Sequence, residues 1–155
     1  MDVGSVMKRE VVSIRADQTL EEAIRLLVDK RVGTLPVVDE QARLVGILGL
    51  REILQLCWPT LLDMLGNYDF VRDFGVLERN DISAEDRAKP VGQLMQPATR
   101  VEVDCGLLRA EAVMRQHQLR DLPVVDEQNR LVGLASWVDV GVAFLRHRSL
   151  SQDRP

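Results

Sequence analysis

Aromatic side chains make up only 4% of this 155-residue chain, too few for the rows of rings on which single-stranded nucleic acids stack. Positive charge is not in excess either. Twenty Lys and Arg stand against 24 Asp and Glu, a net charge of -4 at pH 7, which argues against a protein that grips nucleic acid by neutralising many phosphates. Cysteine is limited to Cys57 and Cys105, with no C-x-x-C or Cys/His spacing, so neither a disulfide framework nor a zinc site is expected, and a reducing compartment fits. No apolar run approaches the ~18 residues that cross a bilayer, and the N-terminus lacks a basic segment followed by an apolar one. Neither His117 nor His147 stands beside a nucleophile or a carboxylate pair. The expectation is a cytoplasmic protein without nucleic-acid or membrane partners, with no resident metal, no required cofactor and no catalytic residues.

What the chain does have is apolar content, 46%, enough for one compact unit or two small ones sharing an interface. It also has an internal repeat. Residues 35–46 read LPVVDEQARLVG and residues 122–133 read LPVVDEQNRLVG, identical at 11 of 12 positions with an offset of 87. The same offset relates Leu20 to Leu107, Ala23 to Ala110 and Leu27 to Met114. Nearer the start the register slips by one: Val6-Met7 matches Leu94-Met95 at an offset of 88. Periods of this kind mean stacked or paired structural units.

Each unit can be read from its own chemistry. A short extended stretch at 11–14, with its counterpart at 100–103, precedes a helix. Thr19-x-x-Glu22 has the form of a capping box, and Leu20, Ala23, Ile24, Leu27 and Val28 fall on one face at helical spacing, so that face should be buried. A β-branched strand follows at Leu35-Pro36-Val37-Val38, where the proline, lacking an N–H, should sit among the first residues or at an edge. Residues 39–43 are a polar turn and 44–48 the return strand. A helix from Leu50 then offers Ile53, Leu54 and Leu56 for packing. The fold class expected is α+β: two pseudo-symmetric β-α-β-β-α repeats, at 1–56 and 91–145, with a helical insertion at 57–90 and a flexible tail at 146–155. A unit this small cannot bury its own sheet face, so the copies should pair about an approximate two-fold axis, leaving a cleft on either side.

The run LPVVDE-x-x-R-L-V-G, followed by a helix that opens with a hydroxyl and an acid, resembles the cystathionine β-synthase (CBS) domain, and two copies resemble a CBS pair. The resemblance implies a sensor that binds AMP, ADP, ATP or S-adenosylmethionine as a regulatory ligand, dimerises through its CBS modules and modulates an effector protein in trans. The family's ribose-binding pattern, G-h-h-[ST]-x-x-D with h apolar, is matched by Gly133-Leu134-Ala135-Ser136-Trp137-Val138-Asp139. A carboxylate can accept from both ribose hydroxyls, while a serine hydroxyl and helix-start N–H groups can hold phosphate. Asp139 and Ser136 are therefore the leading ligand-binding candidates. The same Ser136-x-x-Asp139 is also an ordinary capping box, and local sequence does not separate the two roles.

The first repeat departs from the pattern. Gly46-Ile47-Leu48-Gly49-Leu50-Arg51-Glu52 has no hydroxyl, and its acid is one methylene longer, so one good site or two of unequal affinity are expected. By the same resemblance, residues before each Leu-Pro pair form another wall, here Arg120, Asp121 and Leu122 in one repeat and Gly33 and Thr34 in the other. Arg120 is placed to reach a phosphate that Asp121 would repel. Ser13 and Ile14, with Arg100 and Val101, are expected to meet the adenine through backbone and apolar contact, or to be plain sheet core. A module that has lost its ligand and serves only in dimerisation and protein interaction is the alternative reading. In the insertion, Trp58, Tyr68 and Val71 belong to an apolar half and 78–89 to a polar one; short helices packed on the module or on a second chain are expected there, with Pro59 near a helix start. Arg146-His147-Arg148 suits a helix C-terminus.

Overall fold

The computed structural model describes residues 1–58, 66–69, 71–73, 75 and 81–149. The first repeat comprises a 3-10 turn at Val3–Ser5, β1 (Ile14–Arg15), α1 (Leu20–Lys30), β2 (Thr34–Val38), β3 (Leu44–Gly49) and α2 (Leu50–Cys57). A short helix α3 (Ala84–Ala88) precedes the second 3-10 turn, Val91–Gln93, and then β4 (Val101–Glu102), α4 (Leu107–Gln116), β5 (Asp121–Val125), β6 (Leu131–Ser136) and α5 (Trp137–Ser149). The turns differ by 88 residues and every later pair by 87, so the slip falls after Met7 and Met95. The protein is α+β, with two three-stranded sheets ordered β1-β2-β3 and β4-β5-β6. Pro59 and the apolar stretch from 60 to 65 lie outside the described residues.

In each sheet the first strand runs parallel to the second, and the second antiparallel to the third. The first strands are shorter than the 11–14 and 100–103 stretches, pairing only as Ile14↔Val37, Arg15↔Val38 and Val101↔Val124, Glu102↔Val125. Proline limits them, because Pro36 and Pro123 have no N–H with which to continue the ladder. Both prolines sit inside the central strand of their sheet, not at its edge. Pro36 faces Ile47 and Pro123 faces Leu134, residues whose own backbone groups turn outward to Gln96 and Lys8, so each proline nitrogen faces the side where the short first strand has not begun.

Helix α1 starts with the expected box: the Thr19 hydroxyl accepts from the Glu22 N–H at 3.3 Å, and the Glu22 carboxylate accepts the Thr19 N–H at 2.8 Å. The Thr19 N–H foremost, with the Gln18 amide and the Thr19 hydroxyl, holds the Glu22 carboxyl below its ordinary range. Leu20, Ala23 and Leu27 are buried, but Val28 is not: it is 66% exposed, because it lies ~80° round the helix from Leu20, outside the arc that meets the sheet. On α2, Ile53 is buried, Leu56 half-buried and Leu54 exposed.

The core divides into two clusters, and each takes its closing residues from the other repeat's leading arm. Val3 and Met7 lie in the second cluster with Leu122, Val124, Ala135 and Val140. Val91 lies in the first with Ile14, Leu35, Val37 and Leu48, and Leu94 and Met95 pack beside it. The arms are also hydrogen-bonded in place. Lys8 exchanges two 2.9 Å backbone bonds with Leu134 on the outer edge of β6, and Gln96 pairs likewise with Ile47 on β3 at 2.9 and 2.8 Å, covering edges that would otherwise be open for pairing.

Glycine makes the arm contact possible. A Cβ on Gly133 would lie 2.2 Å from the Met7 Sδ, and one on Gly46 would lie 2.5 Å from the Met95 Sδ. The two sheets also meet at their hairpin tips. Leu44 N–H donates to the Asn129 carbonyl at 2.9 Å and Leu131 N–H to the Ala42 carbonyl at 3.0 Å. Ala42 and Asn129, the one mismatch in the twelve-residue repeat, both adopt φ of 62°, and Asn129 Nδ2 adds a 3.0 Å bond to the Leu44 carbonyl. In each tip an aspartate organises the turn: Asp39 accepts from Gln41 and Arg43 N–H at 2.9 Å each, and Asp126 from Gln128 and Arg130 N–H at 3.0 and 2.8 Å. Burial raises the Asp126 carboxyl, but those bonds and the Arg130 guanidinium outweigh it and leave it below its ordinary value.

Helix α5 takes in Arg146, His147 and Arg148, positions expected in the tail. Their charges suit the negative end of the helix, and the Arg148 guanidinium lies 5.2 Å from the centroid of the Phe144 ring.

Candidate ligand-binding clefts

Strand β6 passes directly into α5 at Ser136, and the side chains there form a complete cap. Ser136 N–H and Oγ donate to Asp139 Oδ2 at 3.1 and 2.6 Å, and Asp139 N–H donates back to Ser136 Oγ at 3.1 Å. The first free N–H of the helix, that of Trp137, is bonded to the Arg120 carbonyl at 2.8 Å. Asp121 lies directly opposite Ser136 in the ladder. Residues far apart in sequence, 120–121 and 136–139, are thus tied together at one corner of the sheet.

That corner opens onto a cleft of about 690 Å³ lined by Arg120, Asp121, Ser136, Trp137 and Val138, by Glu111, Arg115 and Leu119 around the end of α4, and by Gly33 from the first repeat. The volume is that of a small-molecule site. Its charges are balanced: Arg115 pairs with Glu111 at 3.4 Å, and Arg120 adjoins Asp121. Asp139 does not line this cleft. It opens instead onto a neighbouring cavity of about 510 Å³, with Ser5 and Val6 of the first repeat's arm and Arg146. The two residues of the signature therefore share a cap while facing adjacent spaces.

The corresponding corner of the first repeat has the same backbone and different chemistry. Leu50 N–H bonds the Gly33 carbonyl at 3.0 Å, Thr34 lies opposite Gly49, and the Glu52 carboxylate accepts the Gly49 N–H at 2.9 Å. Glu52 lines a smaller cavity, about 260 Å³, with Leu48, Gln55, Gln93 and Gln96. Ile14, Val101 and Leu122 are 0–1% exposed within the core clusters, and Ser13 and Arg100 immediately precede β1 and β4, apart from the linings of these three spaces. Sequence reasoning passed over Trp137, Arg115 and Glu111. Trp137 stood inside the signature as one of its unspecified positions; nothing local marked the other two, which reach the cleft only because α4 ends against it.

Among the described residues there is no group of three or more His, Cys, Asp or Glu placed to hold a metal, and no helix is long and apolar enough to cross a membrane. Cys105 is core, its thiol pushed up by burial.

The family model of the CBS domain matches residues 3–58 and again 91–143. The chain belongs to the CBS domain family. It is 30% identical to the CBS domain-containing protein YhcV of Bacillus subtilis, over 95% of this chain and 88% of that protein. It is 31% identical to the chloroplastic CBS domain-containing protein CBSX1 of Arabidopsis thaliana, over 93% of this chain and 64% of that one. Several curated relatives are longer, the CBS-containing match in an inosine-5'-monophosphate dehydrogenase of Aquifex aeolicus covering only 21% of its length. Among solved structures, CBSX2 in complex with AMP superposes with a TM-score of 0.71 at 26% identity, covering 95% of this chain and 98% of that one. The two matched segments are the two CBS repeats, whose leading arms are exchanged.

Proposed function

We propose that this CBS pair is a non-catalytic regulatory module that binds an adenosine nucleotide in the cleft of its second repeat and passes the binding event to an effector protein in trans. One observation carries the reading: a cleft of about 690 Å³ in which Ser136, Arg120 and Asp121 of one repeat meet Gly33 of the other, so that a ligand there touches both. Ser136 and Arg120 would hold phosphate, and Asp139 would reach the ribose of a ligand that extends past Val138, which lines both spaces, into the adjoining cavity. The balanced lining favours a ligand of few charges, AMP before ATP. The AMP complex of the similar CBSX2 supports that class. The first-repeat corner, with Glu52 and a smaller cavity, is the weaker site.

The exposed apolar residues Leu50 and Leu54 of α2 and Trp58 just beyond its end, 43%, 47% and 54% exposed, form the surface through which we expect two copies to associate. A cytoplasmic location fits a chain whose two cysteines, Cys57 and Cys105, stand in unrelated sequence contexts. A second reading rests on the complete Ser136–Asp139 cap, which a ligand-free interaction module would also need.

Thermal melting with AMP, ADP, ATP and S-adenosylmethionine decides between them. A ligand at ~100 times its Kd should stabilise the protein by ~2.7 kcal/mol, or ~5 to 10 °C, and Asp139→Ala should abolish the shift. No shift with any of the four would leave the ligand-free reading.

A further inference from the structure

We propose that Trp137 is the base-stacking wall of the second-repeat cleft and so makes it prefer a base-bearing ligand over a bare sugar phosphate, an inference that rests on the ligand-binding reading above. Trp137 is 57% exposed, although tryptophan is among the most buried side chains on average, and it faces the cleft that holds Ser136, Arg120 and Leu119. Its backbone is pinned by the 2.8 Å bond to the Arg120 carbonyl, so the side chain springs from the fixed first residue of α5 and not from a loop. The pseudo-equivalent position, Leu50, has the same backbone bond, to Gly33 at 3.0 Å, and no ring. The difference between the two corners at this position is therefore a flat π-surface and nothing in the main chain.

The neighbourhood leaves room for a base. Gly141, one helical turn beyond Trp137, has nothing within 4 Å of where a Cβ would stand, and a Cβ on Gly33 would meet only Leu50 Cδ1, at 3.9 Å. An indole beside a hydroxyl and a guanidinium suits a ligand with a planar base at one end and an anionic group at the other. A sugar phosphate without a base would use Ser136 and Arg120 but leave the indole in water.

The experiment uses Trp58→Phe, in which Trp137 is the single tryptophan of the chain, and follows its emission during titration with AMP and with ribose 5-phosphate. Calorimetry then gives the AMP affinity of the wild type, Trp137→Phe and Trp137→Ala. Saturable emission change with AMP but not with ribose 5-phosphate is expected, together with roughly tenfold to hundredfold weaker AMP binding in Trp137→Ala and substantial recovery in Trp137→Phe. Unchanged AMP affinity in Trp137→Ala overturns the inference while leaving the ligand-binding reading intact. So does emission that shifts with protein concentration and not with AMP, which would place the ring against a second copy. Absence of AMP binding in the wild type removes both.

Discussion

The two repeats are nearly identical where they build the sheet and different where a ligand would sit. Residues 35–46 and 122–133 differ at one position, and the strands they form share register to the residue, bulge included. A few residues further on, Gly49, Leu50 and Glu52 replace Ser136, Trp137 and Asp139, and the cavity beside Glu52, about 260 Å³, is about half the size of its counterpart beside Asp139, about 510 Å³. Packing constrains the hairpin on both faces, because its side chains meet the core and its glycine meets a methionine. The helix start is held by backbone bonds in both repeats, with a reciprocal cap in Ser136 and Asp139 and only the Glu52 carboxylate on the Gly49 N–H in the first repeat. The corner is thus free to diverge without unfolding anything, and one repeat can specialise while the other remains scaffold.

The sharpest way to break the comparison is through the exchanged arms. Met7→Ala, a first-repeat residue, should destabilise the second core by ~2–5 kcal/mol, read by urea unfolding; amide exchange should then rise in β5 and β6 before β2 and β3. Gly133→Ala tests the same contact from the other side. It forces the Met7 thioether aside at a cost of ~1–3 kcal/mol, and Gly46→Ala should cost a similar amount through Met95. Unequal costs would show that one arm is held more loosely than the other.

The hairpin tips give a smaller effect. Asn129→Ala removes the Nδ2 bond to Leu44 and places alanine at a left-handed φ, so a loss of ~1–2 kcal/mol is expected, whereas Ala42→Gly relieves ~1–2 kcal/mol of left-handed strain against ~0.4–1 kcal/mol of added freedom in the unfolded chain, a net gain of at most ~1.5 kcal/mol. The smallest effect concerns pH and separates α1 from α4. The Glu22 carboxyl is held low in the folded state, so its contribution is present above the unfolded carboxylate pKa and is lost as pH falls through the lowered folded value. Helix α4 has Gly106 at its N-cap with no side-chain bond, and Arg109 in place of Glu22. Acidification should therefore raise amide exchange at the start of α1 but not of α4, and Glu22→Gln should flatten the difference.

Much of this was legible in residue order. The repeat, its offset and its one-residue slip, the Thr19 box and the polar turns all rest on interactions within a few residues, which sequence records directly. Val28 and Pro36 show the limit. Periodicity placed Val28 on the apolar face, but only the width of the contact with the sheet decided that it stays outside; the proline rule pointed to the first residues of a strand or to an edge, while the short first strand created a gap for Pro36 at the third place of the central strand. The site was legible as a set of residues, Ser136, Asp139, Arg120 and Asp121, and not as a space.

By itself the sequence determined two copies of one unit, the cap chemistry at each helix start and the asymmetry between Ser136-x-x-Asp139 and Gly49-x-x-Glu52. Tertiary structure alone decided that Met7 and Met95 cross to the opposite sheets, that Gly33 and Trp137 share a cleft with Arg120, and that Asp139 turns to the adjoining cavity. Such contacts join residues from about fifty to well over a hundred positions apart, and their geometry depends on how both sheets pack at once, a constraint that no local pattern encodes.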